Sequence, residues 1–280
     1  MTRLFRYIFI AFCLIAFNLC GLPCFGSPAM AQDQQSPSSG LQALAELSRI
    51  KRPMPPDTIP YNYTIVFQIN EAGDDPEKEP FTAVLAVSPS LSGEARVTVL
   101  SQSSEDKPAA LKALLKKMTS PETTQADLAK EFWCEGKEND LLNQEVSIED
   151  FQIVSETETE IVVRPDIEKM AKIMMSSDNF AQADGDSSKT AKRLLKRLEG
   201  EFTISKKDAH LKHFRIWMTR PMSVKLIAKI KEMELTQSCD IAPNGVAYKQ
   251  ATSMHLIVKA LGMSVVQNMN INVRDLKPTP

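Results

Sequence analysis

Glycine and histidine are scarce in this chain, with 10 Gly and 3 His among 280 residues. Loops that cradle phosphate need several glycines close together, and no such pattern occurs, so nucleotide-dependent chemistry has no obvious seat. The three histidines are His210, His213 and His255. The first two are three apart in an expected strand, so they point to opposite faces and make a poor metal pair. Asp178, Asp184 and Asp186 match no calcium-loop spacing, and no cofactor is expected. A serine nucleophile needs a buried strand, a sharp turn and a nearby base. Gly185-Asp186-Ser187-Ser188 is the one hydrolase-like segment, and the polar Ala181-Gln182-Ala183-Asp184 precedes it where that strand should be. The reading is therefore of a non-enzymatic protein.

Long apolar runs are also missing. The longest, Tyr7–Phe17, follows Arg3 and Arg6 and is broken by Gly21, Pro23 and Gly26, well short of the about 20 residues that span a membrane. A basic start, a short apolar core and the small-x-small exit Ala29-Met30-Ala31 before Gln32 describe a cleavable secretory signal over residues 1–31. Cleavage between Ala31 and Gln32 places the remaining 249 residues in the periplasm. That portion holds 31 basic and 35 acidic side chains, and this mild acidity gives no basis for nucleic-acid binding.

Of five cysteines, three leave with the signal, and Cys134 and Cys239 remain. An even number in an oxidising compartment, with no histidine near either in sequence, points to a disulfide rather than a metal pair.

Residues 32–40 read as a flexible leader, and Leu41, Leu44, Leu47 and Ile50 recur at helical spacing before the prolines 53, 55 and 56. Tyr61, Tyr63, Ile65, Phe67 and Ile69 alternate with polar residues, which is a strand with one buried face. Strands over Phe81–Val87 and Ala95–Leu100 follow. Next come a helix from Ala109 to Met118, a second helix entered through Ser120-Pro121, and a hairpin over Phe151–Glu156 and Thr159–Arg164. Helices are expected after Asp166 and over Ala191–Leu198. From Gly200 the pattern is β, with three long runs at 223–238, 246–260 and 263–274 separated by Pro243-Asn244-Gly245 and Leu261-Gly262. In the first run the apolar phase switches from Ala228 and Ile230 to Met233 and Leu235, the signature of a β-bulge near Lys231-Glu232. Strands of that length span roughly 50 Å and must coil.

The expected fold is therefore α+β: a strongly curved antiparallel sheet, a half-barrel, with a few helices packed on or in its concave face. It is expected to form one domain over 41–275, with a helical insertion at about 107–198 and a tail at 276–280.

The order of elements, with Leu198-Glu199-Gly200-Glu201-Phe202-Thr203-Ile204 entering the meander and Ala242-Pro243-Asn244-Gly245-Val246 at its hairpin, resembles the periplasmic lipoprotein-carrier superfamily. That superfamily includes lipoprotein-sorting proteins and envelope-stress regulators. The resemblance is architectural and implies a concave apolar surface for a lipid, acyl chain or lipopeptide. Among the long strands, Tyr248, Met254, Leu256 and Val258 are expected to share one apolar face, and Met263, Val265, Met269 and Ile271 another. Methionine suits a surface that adapts to varied apolar ligands.

Charge is unevenly spread. Residues 122–186 carry a net −12 and residues 187–231 a net +10. A basic face led by Lys189, Lys192, Arg193, Lys196 and Arg197 would meet an anionic membrane surface or an acidic envelope protein. Two functions are expected from these features: a carrier of an apolar ligand, or an envelope structural or regulatory interaction module with no small-molecule ligand.

Overall fold

The computed structural model describes residues 53–72, 79–134, 151–166, 193–224, 228–260 and 263–279, together with Ala43 and Glu46. The expected signal and leader, the first helix apart from Ala43 and Glu46 (both helical), Lys189, Lys192, the Ser187 loop and the helix after Asp166 lie outside the described residues. No helix among the described residues is long and apolar enough to cross a membrane. The architecture is mostly antiparallel sheet with few helices, and the chain divides into two compact units.

One unit spans residues 55–133 and 220–280. It contains β1 (Tyr61–Ala72), β2 (Phe81–Val87), β3 (Val97–Gln102), α1 (Ala109–Thr119), α2 (Gln125–Phe132), and then β8 (Met222–Val224), β9 (Ala228–Ile241), β10 (Ala247–Ala260) and β11 (Met263–Pro278). Its strands lie in the order β3-β2-β1-β11-β10-β9, with β8 paired to β9, and they do not close into a barrel. The other unit holds residues 134–219 of the later chain, where β4 (Phe151–Glu156), β5 (Glu160–Pro165), β6 (Leu198–Ser205) and β7 (Leu211–Met218) form an open meander.

Strict alternation makes the strands of both units two-sided. Along β1, Tyr61, Tyr63, Ile65, Phe67 and Ile69 are buried while Asn62, Thr64, Gln68 and Asn70 are half-buried. The same rule buries Ile161 and Val163 of β5, Phe202 and Ile204 of β6, and Phe214 and Ile216 of β7. Burying a side chain such as Phe67 or Phe214 contributes about 1.5–3 kcal/mol each.

The bulge expected near Lys231 is present: Ile257 pairs with Glu232 but Val258 pairs with Ile230, leaving Lys231 as the extra residue. The long run at 223–238 is not one strand, however. Met222–Val224 turns back and pairs with Ala228–Ile230, so β8 and β9 form a short hairpin whose apolar residues happen to keep one phase. The last strand runs further than expected, to Pro278, because Tyr61 and Asn62 give it partners in Pro278 and Lys277. A register shift near Asp275 accommodates it, with Asp275 at φ 55°, a left-handed conformation that Asp tolerates.

The second helix does not begin at Ser120-Pro121. Ser120 caps the end of α1, and α2 starts after Thr124, whose hydroxyl accepts from the Asp127 N–H while Asp127 returns a bond to the Thr124 N–H at 2.9 Å. This reciprocal pair satisfies two orphan donors and outcompetes a proline start. Between η1 (Gly93–Arg96) and α1, Arg96 is only 3% exposed. Its Nε donates to the Leu91 carbonyl (2.9 Å), Nη1 to Met118 (2.6 Å) and Nη2 to Thr123 (3.0 Å). It thus places a cation on the Met118 carbonyl in the last turn of α1, where the helix dipole is negative.

Candidate apolar binding strip

In the unit that holds the long strands, register decides which side chains meet. Met254 of β10 lies opposite Met269 of β11, Val258 opposite Val265, and Thr252 opposite Ile271. On the far side of β11, Met269 pairs with Ile69, Ile271 with Phe67 and Val273 with Ile65. The two methionine-bearing groups expected on separate faces therefore share a single face. Antiparallel partners project to the same side, and the separate numbering of the two strands concealed this.

Burial across this face is uneven. Phe67 and Ile69 on β1 are 1% and 2% exposed, and Met254, Leu256 and Val258 on β10 are 2%, 4% and 1% exposed. Between them, Val265, Met269, Ile271 and Val273 of β11 are only half-buried, although β11 sits in the middle of the sheet order. A central strand with packed neighbours on both sides would ordinarily be the best covered. The result is a strip, one strand wide, of partly open apolar side chains: Met269 lies between buried Ile69 and Met254, Val265 is flanked by Val258 of β10 alone, and Ile271 and Val273 are flanked by Phe67 and Ile65 of β1. Met263 marks its outer end at 46% exposure.

The strip is interrupted at Gln267, which lies on the same face, opposite Leu256 of β10 and Glu71 of β1, and is half-buried. Its carboxamide makes no hydrogen bond among the described residues. Alternation would have placed an apolar residue at this position, so the break is visible in the sequence, yet its meaning depends on knowing the two neighbouring strands.

At the other end of β10, the pairing with β11 stops at Ala251, and the backbone of Trp133 bridges to Tyr248 instead. An aromatic cluster fills this place. Phe132 meets Tyr63 at 5.0 Å, stacks on Tyr248 at 5.5 Å and stands edge-on to Trp133 at 4.7 Å. The Trp133 indole donates to the Pro56 carbonyl at 3.1 Å. Tyr248, expected as a ligand contact, is therefore core, and burial followed by nearby Asp240 raises its phenol. Burial, then Glu131, pushes Tyr63 up as well.

Cys134 follows Trp133 directly and is disulfide-bonded to Cys239, as the cysteine count suggested. Cys134 is fully buried, and Gln237 donates to the Cys239 sulfur at 3.8 Å. Lys249, the register partner of Cys239, is itself buried, and its ammonium donates to the Lys130 carbonyl in the last turn of α2.

The opposite face of the same sheet is polar. Asn70, Asn268, His255 and Glu234 are successive register partners across four strands, and His255 Nδ1 shares a 2.6 Å hydrogen bond with Asn268 Oδ1. No group of three or more metal-ligating side chains occurs among the described residues.

In the other unit, Arg193 and Lys196 of the expected basic face are exposed and Arg197 is half-buried. A separate feature lies on the outer face of β5–β7. Trp217 carries the Arg215 guanidinium 5.0 Å from its ring centre and that of Arg164 at 5.9 Å. Arg164 in turn bonds Glu201 at 2.6 Å. No protein family matches this sequence, and no curated protein or solved structure is significantly similar to it.

Proposed function

We propose that this chain is an exported, non-enzymatic periplasmic protein that holds an apolar ligand against a strongly curved, half-barrel sheet, in the manner of the periplasmic lipoprotein carriers it resembles. The observation that supports this reading is the half-open strip of Val265, Met269, Ile271 and Val273 on β11, beside buried residues of β10 at one end and of β1 at the other. Apolar area left partly in water at the centre of a packed sheet is stabilised by a ligand that covers it, at about 25 cal/mol per Å². The thioethers of Met269 and Met263 adapt to ligands of varied shape. The ligand class is a lipid, acyl chain or lipopeptide. Residues 1–31 supply the export signal, and Arg193 and Lys196 offer charge to an anionic membrane surface or an envelope partner.

The test is binding of the neutral fluorophore N-phenyl-1-naphthylamine to delipidated protein. Enhanced emission is expected with the native chain and loss of at least tenfold in affinity with Met269→Glu, folding being checked by circular dichroism. Absence of enhancement, or equal binding by the variant, refutes the reading.

The second reading is an envelope regulatory or structural interaction module. It is favoured by the Trp217 face, since Trp and Arg dominate protein-binding hot spots. Trp217→Ala should abolish recovery of a periplasmic partner in crosslinking if this reading is right, and leave recovery unchanged if it is wrong.

A further inference from the structure

The strip on β11 has five apolar positions and one amide, and the amide stands at a defined place within it. Val265 and Met263 lie on one side of Gln267, while Met269, Ile271 and Val273 lie on the other. Same-face neighbours along a strand are two residues apart, or about 6.6 Å. The longer apolar arm therefore runs about 20 Å from Gln267 to Val273 and the shorter about 13 Å from Gln267 to Met263. Gln267 faces buried Leu256 across the β10 pairing and Glu71 across the β1 pairing, and its carboxamide makes no hydrogen bond among the described residues. A primary amide offers two donors and an acceptor. Covering it with a purely hydrocarbon ligand would strand these groups, at a cost comparable to a lost hydrogen bond or more.

We infer that Gln267 is a specificity-determining residue, selecting an apolar chain interrupted by one neutral carbonyl group, an ester or an amide, over an uninterrupted hydrocarbon. The Gln267 Nε2 donates to the ligand carbonyl, and the two apolar arms of the ligand lie over Val265 and over Met269, Ile271 and Val273. An amide ligand also donates its N–H to Gln267 Oε1, whereas an ester leaves that acceptor to water. The inference rests on the strip being a binding site, and its test separates the two.

The experiment measures displacement of N-phenyl-1-naphthylamine by three probes of matched length: N-butyldecanamide, butyl decanoate and the thioether butyl decyl sulfide. Each is titrated into native protein and into Gln267→Leu, with thermal melts to verify that the variant is folded. The amide and the ester should weaken about five- to tenfold in the variant, the scale of one hydrogen bond. The thioether should bind the variant as well as the native protein, or better. Equal binding of the carbonyl probes to both proteins overturns the role of Gln267 while leaving the apolar site standing. Failure of the fluorophore and of every probe to bind native protein overturns the site and the inference together. Should Gln267→Leu fold poorly, Gln267→Met is read the same way, since it keeps length and removes the hydrogen-bonding groups.

Discussion

Replacing Arg96 by methionine tests how much of the helical segment depends on one buried cation. Arg96 is 3% exposed and donates to the carbonyls of Leu91, Met118 and Thr123, two of them closing the end of α1 and the turn after it. Methionine keeps most of the apolar stem and removes every donor. Each carbonyl left without a partner in a buried place costs about 1–3 kcal/mol, and the bond to Met118 is the most enclosed of the three. Water reaches the Leu91 and Thr123 carbonyls in part, so their share is at the low end of that range. The expected loss is about 3–5 kcal/mol, which corresponds to a fall in Tm of roughly 6–20 °C for a protein of this size. Lysine carries its donors on a single compact nitrogen that cannot span the three carbonyls as the guanidinium fork does, so Arg96→Lys should fall between the two. The assay is urea unfolding at neutral pH together with a thermal melt. A loss below about 1 kcal/mol for Arg96→Met would refute the reasoning, because the carbonyls would then have to find other donors at no cost.

Other outcomes follow from the same structure. Reduction of the Cys134–Cys239 disulfide, which closes a loop of about 100 residues, should destabilise the protein by up to about 4–5 kcal/mol; an unchanged Tm in reductant would contradict this. Asp127→Ala removes half of the reciprocal cap of α2 and should cost about 1 kcal/mol in urea unfolding. The Thr124 bonds hold the Asp127 carboxyl below its usual range, so its contribution is complete above the unfolded value near 3.8 and disappears as pH falls further. Burial, and then Arg215, lowers the His213 imidazole below its usual 6.5, so the unfolded chain binds the proton more readily. Stability should therefore decline as pH drops from about 7 through the unfolded value toward the lower folded one, and His213→Gln should flatten that decline; an identical pH profile in the variant would count against it.

Local pattern carried much of the architecture. The alternation from Tyr61 to Ile69, the hairpin at 151–165, the turn at Pro243-Asn244-Gly245 and the phase switch at Lys231 each depend on neighbours a few residues away, and all four appear where the periodicity places them. The pair Cys134 and Cys239 was legible for a different reason, since they are the two cysteines left once those of the expected export signal are set aside. Periodicity failed where two short segments shared a phase by coincidence, as at β8 and β9, and where reciprocal side-chain bonding moved the start of α2 from Pro121 to Thr124.

Amino-acid order by itself determined that this is a β-rich chain with two-faced strands, because a period of two is written residue by residue. The tertiary structure decided which faces coincide. Register put Met254 beside Met269 and set β11 between β1 and β10, and those are relations between residues far apart in the chain that no local pattern encodes. It also decided burial. Tyr248 reads like Met269 as an apolar strand residue, yet Phe132 stacks on the first while the second stays half open. Arg96 looks like a surface arginine after a glycine turn until the three carbonyls brought to it by folding make it a buried clasp. The physical reason is common to all three: exposure and partner are set by what folds against a residue, and long-range packing can override local propensity.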